Sequence, residues 1–128
     1  MTIAPSRDRY RVPWSAFPQT DKLPLANGEL LVIRTKEFRG KIVDFALTQA
    51  TSVGPAWMNI ARIDCCWGTV HRHLFDKNGE VLVDHEPICD IPAAPLGYDV
   101  VDFRFSEAWE FMHNEWELNL RRWHGDPA

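Results

Sequence analysis

Residues 57–84 have the sequence WMNIARIDCCWGTVHRHLFDKNGEVLVD, and this stretch decides the fold. It contains three runs rich in aliphatic and β-branched residues, which favour strands. The runs are residues 57–65, 70–75 and 80–84. Between the last two lies Asp76-Lys77-Asn78-Gly79, and Asn and Gly tolerate the positive φ that hairpin loops require. Because turns recur about every ten residues with no helix between them, the stretch predicts an antiparallel β-meander.

The same pattern extends toward the N-terminus as far as residue 29. Leu30–Thr35 and Ile42–Thr51 predict two further strands, joined by a turn at Arg39-Gly40 and ended by Gly54-Pro55. Residues 1–28 instead lack periodicity and contain four prolines, which remove backbone donors and predict an extended arm. Four apolar residues of the arm are expected to hold it against the domain: Tyr10, Trp14, Phe17 and Leu23.

A long amphipathic helix is predicted at the C-terminus, over residues 106–124. Six large apolar residues recur there at steps of three and four, which places them on one helical face. They are Phe105, Trp109, Met112, Trp116, Leu120 and Trp123. Ser106 is the expected N-cap, and Gly125 ends the helix. Residues 87–105 are predicted to be a connecting loop. Within it, Val100–Phe105 is either a short strand, which its alternation favours, or an earlier turn of the helix.

These elements predict one α+β domain over residues 1–128, in which a meander of about five strands packs against the helix. Residues 29–86 form the sheet. We expect the aromatic stripe of the helix to be core that covers one face of the sheet, which leaves the other face free to carry a site.

The overall charge and the cysteine content limit the environment and the partners of the chain. With 14 basic and 18 acidic residues, the formal net charge is −4, which argues against a footprint for duplex nucleic acid. Local basic segments remain at Arg7–Arg11 and Arg34–Lys41. An odd set of three cysteines with an adjacent pair does not suggest a secreted disulfide framework. No apolar run approaches ~18 residues, and no signal peptide is recognised, so we expect a cytoplasmic protein that does not contact a membrane.

The candidate site lies in the hairpin at the centre of the meander. On a strand, side chains alternate between faces, so His71 and His73 share a face and Arg72 points away. If the preceding turn has two residues, Asp64 lies opposite His71 and Arg62 lies opposite His73. Four ionisable side chains are therefore expected to converge.

The next hairpin brings further ionisable residues to this face in either of two registers. A three-residue loop places His85 opposite His71, whereas a two-residue loop places Asp84 opposite His73 and Glu86 opposite His71. His85 is therefore a further candidate for the site.

Such a cluster can perform acid–base chemistry on a phosphodiester. His71 and His73 would be general acid and base, because imidazole titrates near neutrality, and Asp64 would orient one of them. Arg62 or Arg72 would bind phosphate, since a guanidinium offers paired donors. This equipment resembles that of a metal-independent ribonuclease, so the favoured prediction involves no metal and no cofactor.

Two other interpretations of the cluster stay open. The histidines, with a carboxylate, could hold a divalent metal ion. Alternatively, the residues only form cross-strand pairs on a polar sheet face. Zinc-finger, P-loop, dinucleotide-binding, EF-hand and serine-hydrolase motifs are all absent from the sequence.

The site segment resembles the TumE-type toxins of bacterial toxin–antitoxin modules and related small proteins. The matching residues are Arg62-Ile63-Asp64, then His71-Arg72-His73, with a helix toward the C-terminus. The match covers residues 57–86 and the order of the helix, whereas the proline-rich arm and the long loop depart from it. The resemblance implies a toxin that acts on RNA and is neutralised by a protein antitoxin.

A second hypothesis is a non-catalytic module that binds a protein partner through its sheet. An edge strand presents unpaired backbone groups, so it can add a strand of a partner or form a homodimer. The acidic net charge favours a protein partner over duplex DNA.

Overall fold

A computed structural model describes residues 10–66 and 68–125, apart from the side chains of Cys66 and His85. It confirms the α+β class: an antiparallel sheet packs against one long C-terminal helix. Six strands are hydrogen-bonded in chain order. The elements are β1 (Phe17–Ala26), β2 (Glu29–Phe38), β3 (Lys41–Val53), β4 (Ala56–Cys66), β5 (Thr69–Phe75), β6 (Val81–Asp90) and α1 (Leu96–His124).

The proline-rich arm was the main error of the sequence prediction, because residues 17–26 form strand β1. This strand lies at the edge of the sheet and pairs with β2 alone, with Pro18 opposite Lys36 and Pro24 opposite Leu30. An edge strand needs only part of its backbone donors, so it tolerates proline. The sheet consequently has six strands rather than five.

The described part of the arm is held to the domain by fewer residues than predicted. Tyr10 is buried, and its hydroxyl donates a hydrogen bond to the carbonyl of Val43. Leu23 is partly buried against the core. Trp14 and Phe17 are instead exposed, at 97% and 61%, so the prediction that they pack against the domain is wrong. Residues 1–9 lie outside the described residues.

Helix α1 covers one face of the sheet and packs mainly on β3. Phe45 of β3 contacts Phe105 of the helix edge to face, with ring centroids 5.5 Å apart. The six residues of the predicted stripe are all buried or partly buried, as expected for the core. Apolar burial of this kind contributes roughly 25 cal/mol for each Å² removed from water.

A buried polar pair also fixes the helix over β3. Gln49 is completely buried, and its side-chain amide donates to the carbonyl of Trp116 at 2.8 Å. Asn119 donates in turn to the Gln49 side-chain oxygen at 3.2 Å. Because buried polar groups are costly unless paired, these bonds favour one position of the helix along the strand.

The helix begins ten residues earlier than the sequence indicated, at Leu96 instead of Ser106. The segment predicted as a loop, 87–105, is divided between the end of β6 and the first turns of α1, and Val100–Phe105 is helical. Val101 is buried whereas Phe103 is 61% exposed, so the apparent alternation does not reflect a sheet. The C-terminal end at Gly125, with φ of 85°, is as predicted.

We predict that Gly97→Ala destabilises the protein. Gly97 lies in the first turn of α1, where an added Cβ would overlap the carbonyl oxygen of Pro92 and the ring of Tyr10. Overpacking of this kind costs about 1–3 kcal/mol of unfolding free energy. Urea denaturation measures the loss, and Leu96→Ala, at an exposed neighbouring position, is the control. An unchanged midpoint for Gly97→Ala would contradict the close packing of the helix start.

Candidate functional site

The central hairpin has the register that the sequence predicted. Asp64 lies opposite His71, and Arg62 lies opposite His73. Gly68 in the turn has a φ of 76°, a conformation that glycine adopts at no steric cost. The four side chains that were expected to converge therefore share one face of the sheet.

The Asp64 carboxylate is at the centre of this group, which we call the Asp–His cluster (Arg62, Asp64, His71 and His73). Its Oδ1 atom lies 2.8 Å from Nε2 of His71 and 3.5 Å from Nε2 of His73. Its Oδ2 atom lies 3.0 Å from Nε of Arg62. One carboxylate thus holds both imidazoles and a guanidinium.

The outer nitrogens of the two imidazoles contact other side chains. Nδ1 of His71 lies 3.1 Å from the Thr69 hydroxyl, and Nδ1 of His73 lies 3.1 Å from Oδ1 of Asp84. These contacts orient both rings so that each Nε2 faces Asp64. The sheet and its side chains therefore fix the geometry of the cluster before any ligand binds.

The cluster lies on the sheet face away from the helix, as predicted. Neighbouring positions on β4 and β5, such as Ile63 and Val70, face α1 instead, because side chains alternate along a strand. The cluster is nevertheless not a solvated polar surface, since His71 is 2% and His73 3% exposed. The side chains of Arg62 and Asp64 are 31% and 16% exposed, so they are the more accessible part of the group.

Neither predicted register of the β5–β6 hairpin describes the whole hairpin. At the loop, Asp76 and Glu80 are hydrogen-bonded, as in the three-residue alternative. Further along, Leu74 lies opposite Val83 and His73 contacts Asp84, as in the two-residue alternative. A second irregularity then places His71 opposite Pro87, and not opposite His85 or Glu86. A bulge adds a residue to one strand, and sequence patterns do not locate it well. The side chain of His85 lies outside the described residues.

Arg72, a predicted phosphate ligand, is not brought to the cluster. It points to the helix side of the sheet, where it lines a cleft with Arg104, and it forms an ion pair with Glu86 at 2.8 Å. Arg62 therefore remains the only predicted phosphate-binding arginine that lies beside Asp64.

A groove on the same face as the cluster was not predicted. It has a volume of about 260 Å³ and reaches Asp64 at one end. Register places Thr20, Arg34 and Ala46 in a row with Asp64 across four strands. The next row contains Pro18, Lys36 and Asp44. We call this feature the basic groove, after Arg34 and Lys36.

The sequence did contain a signal for part of the groove. Arg34 and Lys36 are two residues apart on a predicted strand, so they share a face. Their position beside Asp64 could not be foreseen, because it depends on the pairing of β2 with β3 and of β3 with β4.

Burial also changes the acidity of groups near the groove. It raises the pKa of the Asp44 carboxyl above its ordinary value of 3.8, and the neighbouring Asp64 charge adds to this, against the opposing effects of Lys36 and the Phe45 backbone. Burial likewise raises the pKa of the Cys65 thiol. Cys65 and Cys89 are free thiols.

Comparison of the chain with known proteins gives no match, whether to protein-family models, to curated proteins or to solved structures. Among the described residues, no helix is long and apolar enough to cross a bilayer. Function is therefore inferred from the residues themselves.

The raised pKa of Asp44 predicts a pH-dependent stability. Between the unfolded and folded pKa values the native state binds more protons, so the free energy of unfolding falls as pH rises through this window. Asp44→Asn removes that fall, and we expect it to be more stable than the wild type at pH 7. Thermal unfolding at pH 4 and pH 7 measures the effect.

Glu117→Gln is the matched control, because it removes a carboxylate from an exposed helix position. It should leave the difference between the two pH values as in the wild type. If the stability of Asp44→Asn changes between pH 4 and pH 7 as that of the wild type does, burial does not raise the pKa of Asp44.

Proposed function

We propose that this chain is a toxin-like RNA-acting hydrolase of the cytoplasm, which an antitoxin protein neutralises. The observation that carries the proposal is the basic groove, which leads to the Asp64 carboxylate and so to two imidazoles. Arg34 and Lys36 offer two cations to the phosphates of a single strand, beside the carboxylates of Asp44 and Asp64 that also line the groove.

In this proposal the Asp–His cluster cleaves a phosphodiester without a metal. One imidazole takes the proton of the ribose 2′-hydroxyl while the 2′-oxygen attacks phosphorus. The second imidazole donates a proton to the leaving 5′-oxygen. Asp64 orients the imidazoles through Oδ1, and Arg62 balances its charge. Arg34 and Lys36 bind the phosphates that flank the scissile bond.

Burial of the rings adds a requirement to this mechanism. The substrate approaches from the groove, because Asp64 is the member of the cluster that lines it. In the free protein both rings are nearly inaccessible and both nitrogens of each ring contact protein groups. Proton transfer to or from the substrate therefore needs a local opening that uncovers the rings and separates a ring nitrogen from its protein contact. Openings of this kind occur on microsecond to second timescales and are slower than side-chain motion.

The test replaces both histidines with glutamine, which retains hydrogen-bonding atoms in the buried site. We expect the His71→Gln/His73→Gln variant to lose growth arrest and to cleave RNA at least ~100-fold more slowly, as loss of acid–base catalysis implies. Circular dichroism shows whether the variant is folded. Its companion, Arg34→Ala/Lys36→Ala, should raise the KM for RNA more than it lowers kcat.

Controls for this test use exposed residues of the same type. His113→Gln/His124→Gln removes two imidazoles from the exposed side of α1, and Lys77→Ala removes a cation from a loop. Both should cleave RNA like the wild type. A folded double-glutamine variant that remains fully toxic would sink the assignment of His71 and His73.

A second candidate is a protein-binding module, and the edge of β6 is the observation that favours it. Helix α1 packs mainly over β3, which leaves a cleft of about 430 Å³ between β5, β6 and the helix. Ile88 and Phe111 line it and are 44% and 38% exposed. Its charged groups pair with one another, Arg72 with Glu86 and Arg104 with Glu107. An apolar strand of a partner protein, such as an antitoxin, would extend the sheet here.

This candidate predicts that Ile88→Asp/Phe111→Asp prevents co-purification with the partner, because a charge on each side of the cleft opposes burial of an apolar strand. The double-glutamine variant should retain the partner. Val53→Asp, at a position 48% exposed at the end of β3, is the control. A wild-type chain that is monomeric and captures no partner strand would contradict this candidate, and a homodimer sensitive to the same substitutions would identify the partner as a second copy.

A further inference from the structure

The Asp–His cluster contains three donor atoms within the reach of one metal ion. Asp64, His71 and His73 each offer one ligand atom, and these atoms lie within 4.8 Å of one another. Zinc bonds to nitrogen and oxygen are about 2.0–2.2 Å long, which places two ligands of one tetrahedral ion about 3.3–3.6 Å apart. The separation of 3.5 Å from Oδ1 to Nε2 of His73 matches that spacing, whereas the separation of 2.8 Å from Oδ1 to Nε2 of His71 has to widen when an ion binds.

A rigid part of the sheet supplies all three donors. His71 and His73 share a face because they are two residues apart on β5, and Asp64 is paired directly with His71 across the hairpin. None of the three ligand positions is on a loop. Donors held by strands keep their spacing without a large entropic cost of ordering on binding.

The surroundings of the donors match the outer contacts of protein metal sites. Metal-binding histidines usually use the other ring nitrogen to contact a carboxylate, a backbone carbonyl or a water molecule, which orients the ring. Asp84 occupies this position for His73, and Thr69 occupies it for His71. Arg62 similarly contacts the second oxygen of Asp64, so Oδ1 is directed at the two imidazoles.

The type of donor selects the class of ion. Two imidazoles and one carboxylate favour first-row transition metals, whereas Mg²⁺ and Ca²⁺ prefer sites built from oxygen alone. Three protein ligands leave at least one coordination position for water or another ligand. We propose that Asp64, His71 and His73 form a binding site for one divalent transition-metal ion, with Zn²⁺ as the expected occupant.

Metal binding and acid–base catalysis compete for the same imidazole nitrogens. An ion bound to Nε2 of His71 and His73 removes the lone pairs that would accept a proton. If the chain is the proposed ribonuclease, bound Zn²⁺ inhibits RNA cleavage. Only this inhibition depends on the proposed function, because binding of the ion is measured without RNA.

The experiment titrates the metal-free, full-length protein with Zn²⁺ by calorimetry and with Co²⁺ by visible absorption. We expect one equivalent of each ion to bind, and Co²⁺ to develop the absorption bands of a site with nitrogen and oxygen ligands. His71→Gln, His73→Gln and Asp64→Asn should each weaken binding more than ~10-fold, since removal even of outer contacts costs 10–100-fold. His113→Gln/His124→Gln should bind like the wild type.

Asp84→Asn keeps the test decisive if a variant at a buried ligand does not fold. Its side chain is 61% exposed, and we expect the folded protein to bind Zn²⁺ about 10-fold more weakly, as for other outer contacts. Wild-type protein that binds no Zn²⁺ at one equivalent would overturn the proposal, as would ligand variants with wild-type affinity.

RNA cleavage assays separate this proposal from the proposed function. Protein that cleaves RNA in EDTA and binds no Zn²⁺ contradicts the metal site alone. Protein that binds one Zn²⁺ and cleaves no RNA, with or without chelator, contradicts the ribonuclease alone.

Discussion

The pairing of β4 with β5 is the constraint on which the site depends. Side chains alternate along a strand, so a shift of one residue in this hairpin would carry Asp64 away from both imidazoles and turn its neighbours toward them. Gly68 supports the observed register by accepting a positive φ in the turn, and Ile63 and Val70 support it by needing burial on the opposite face. The apolar core and the ionic cluster thus require the same register.

The two faces of the sheet consequently have different roles. Helix α1 covers one face with apolar side chains and with the buried pair of Gln49 and Asn119, which is costly to separate. The other face carries ionisable groups whose burial is balanced by mutual contact around Asp64. Isolated charges in such surroundings would be unstable, whereas the close approach of one carboxylate to two imidazoles and a guanidinium offsets part of the cost of burial.

One preorganised geometry underlies both proposals for the cluster, proton transfer and metal binding. Each requires an imidazole nitrogen that is directed toward a shared point and a second nitrogen that is held from behind. Thr69 and Asp84 hold the imidazoles in this way, and Asp64 provides the opposing charge. The basic groove lies beside the cluster and is lined by Arg34 and Lys36, which the proposed function assigns to phosphate binding.

The sequence by itself determined the features that arise from local patterns. Turn residues and apolar periodicity specify the meander from β2 to β6, the amphipathic face of α1, and the contact of Asp64 with His71. Tertiary structure decided what depends on distant neighbours. Pro18 and Pro24 are compatible with a strand only because β1 lies at an edge, and Val101 and Phe103 are helical because the first turns of α1 pack against Tyr10 and Pro92. Bulges set the pairing of His71 with Pro87, and strand order brings Arg34 to Asp64. These outcomes depend on packing between segments far apart in the chain, which local propensity does not encode.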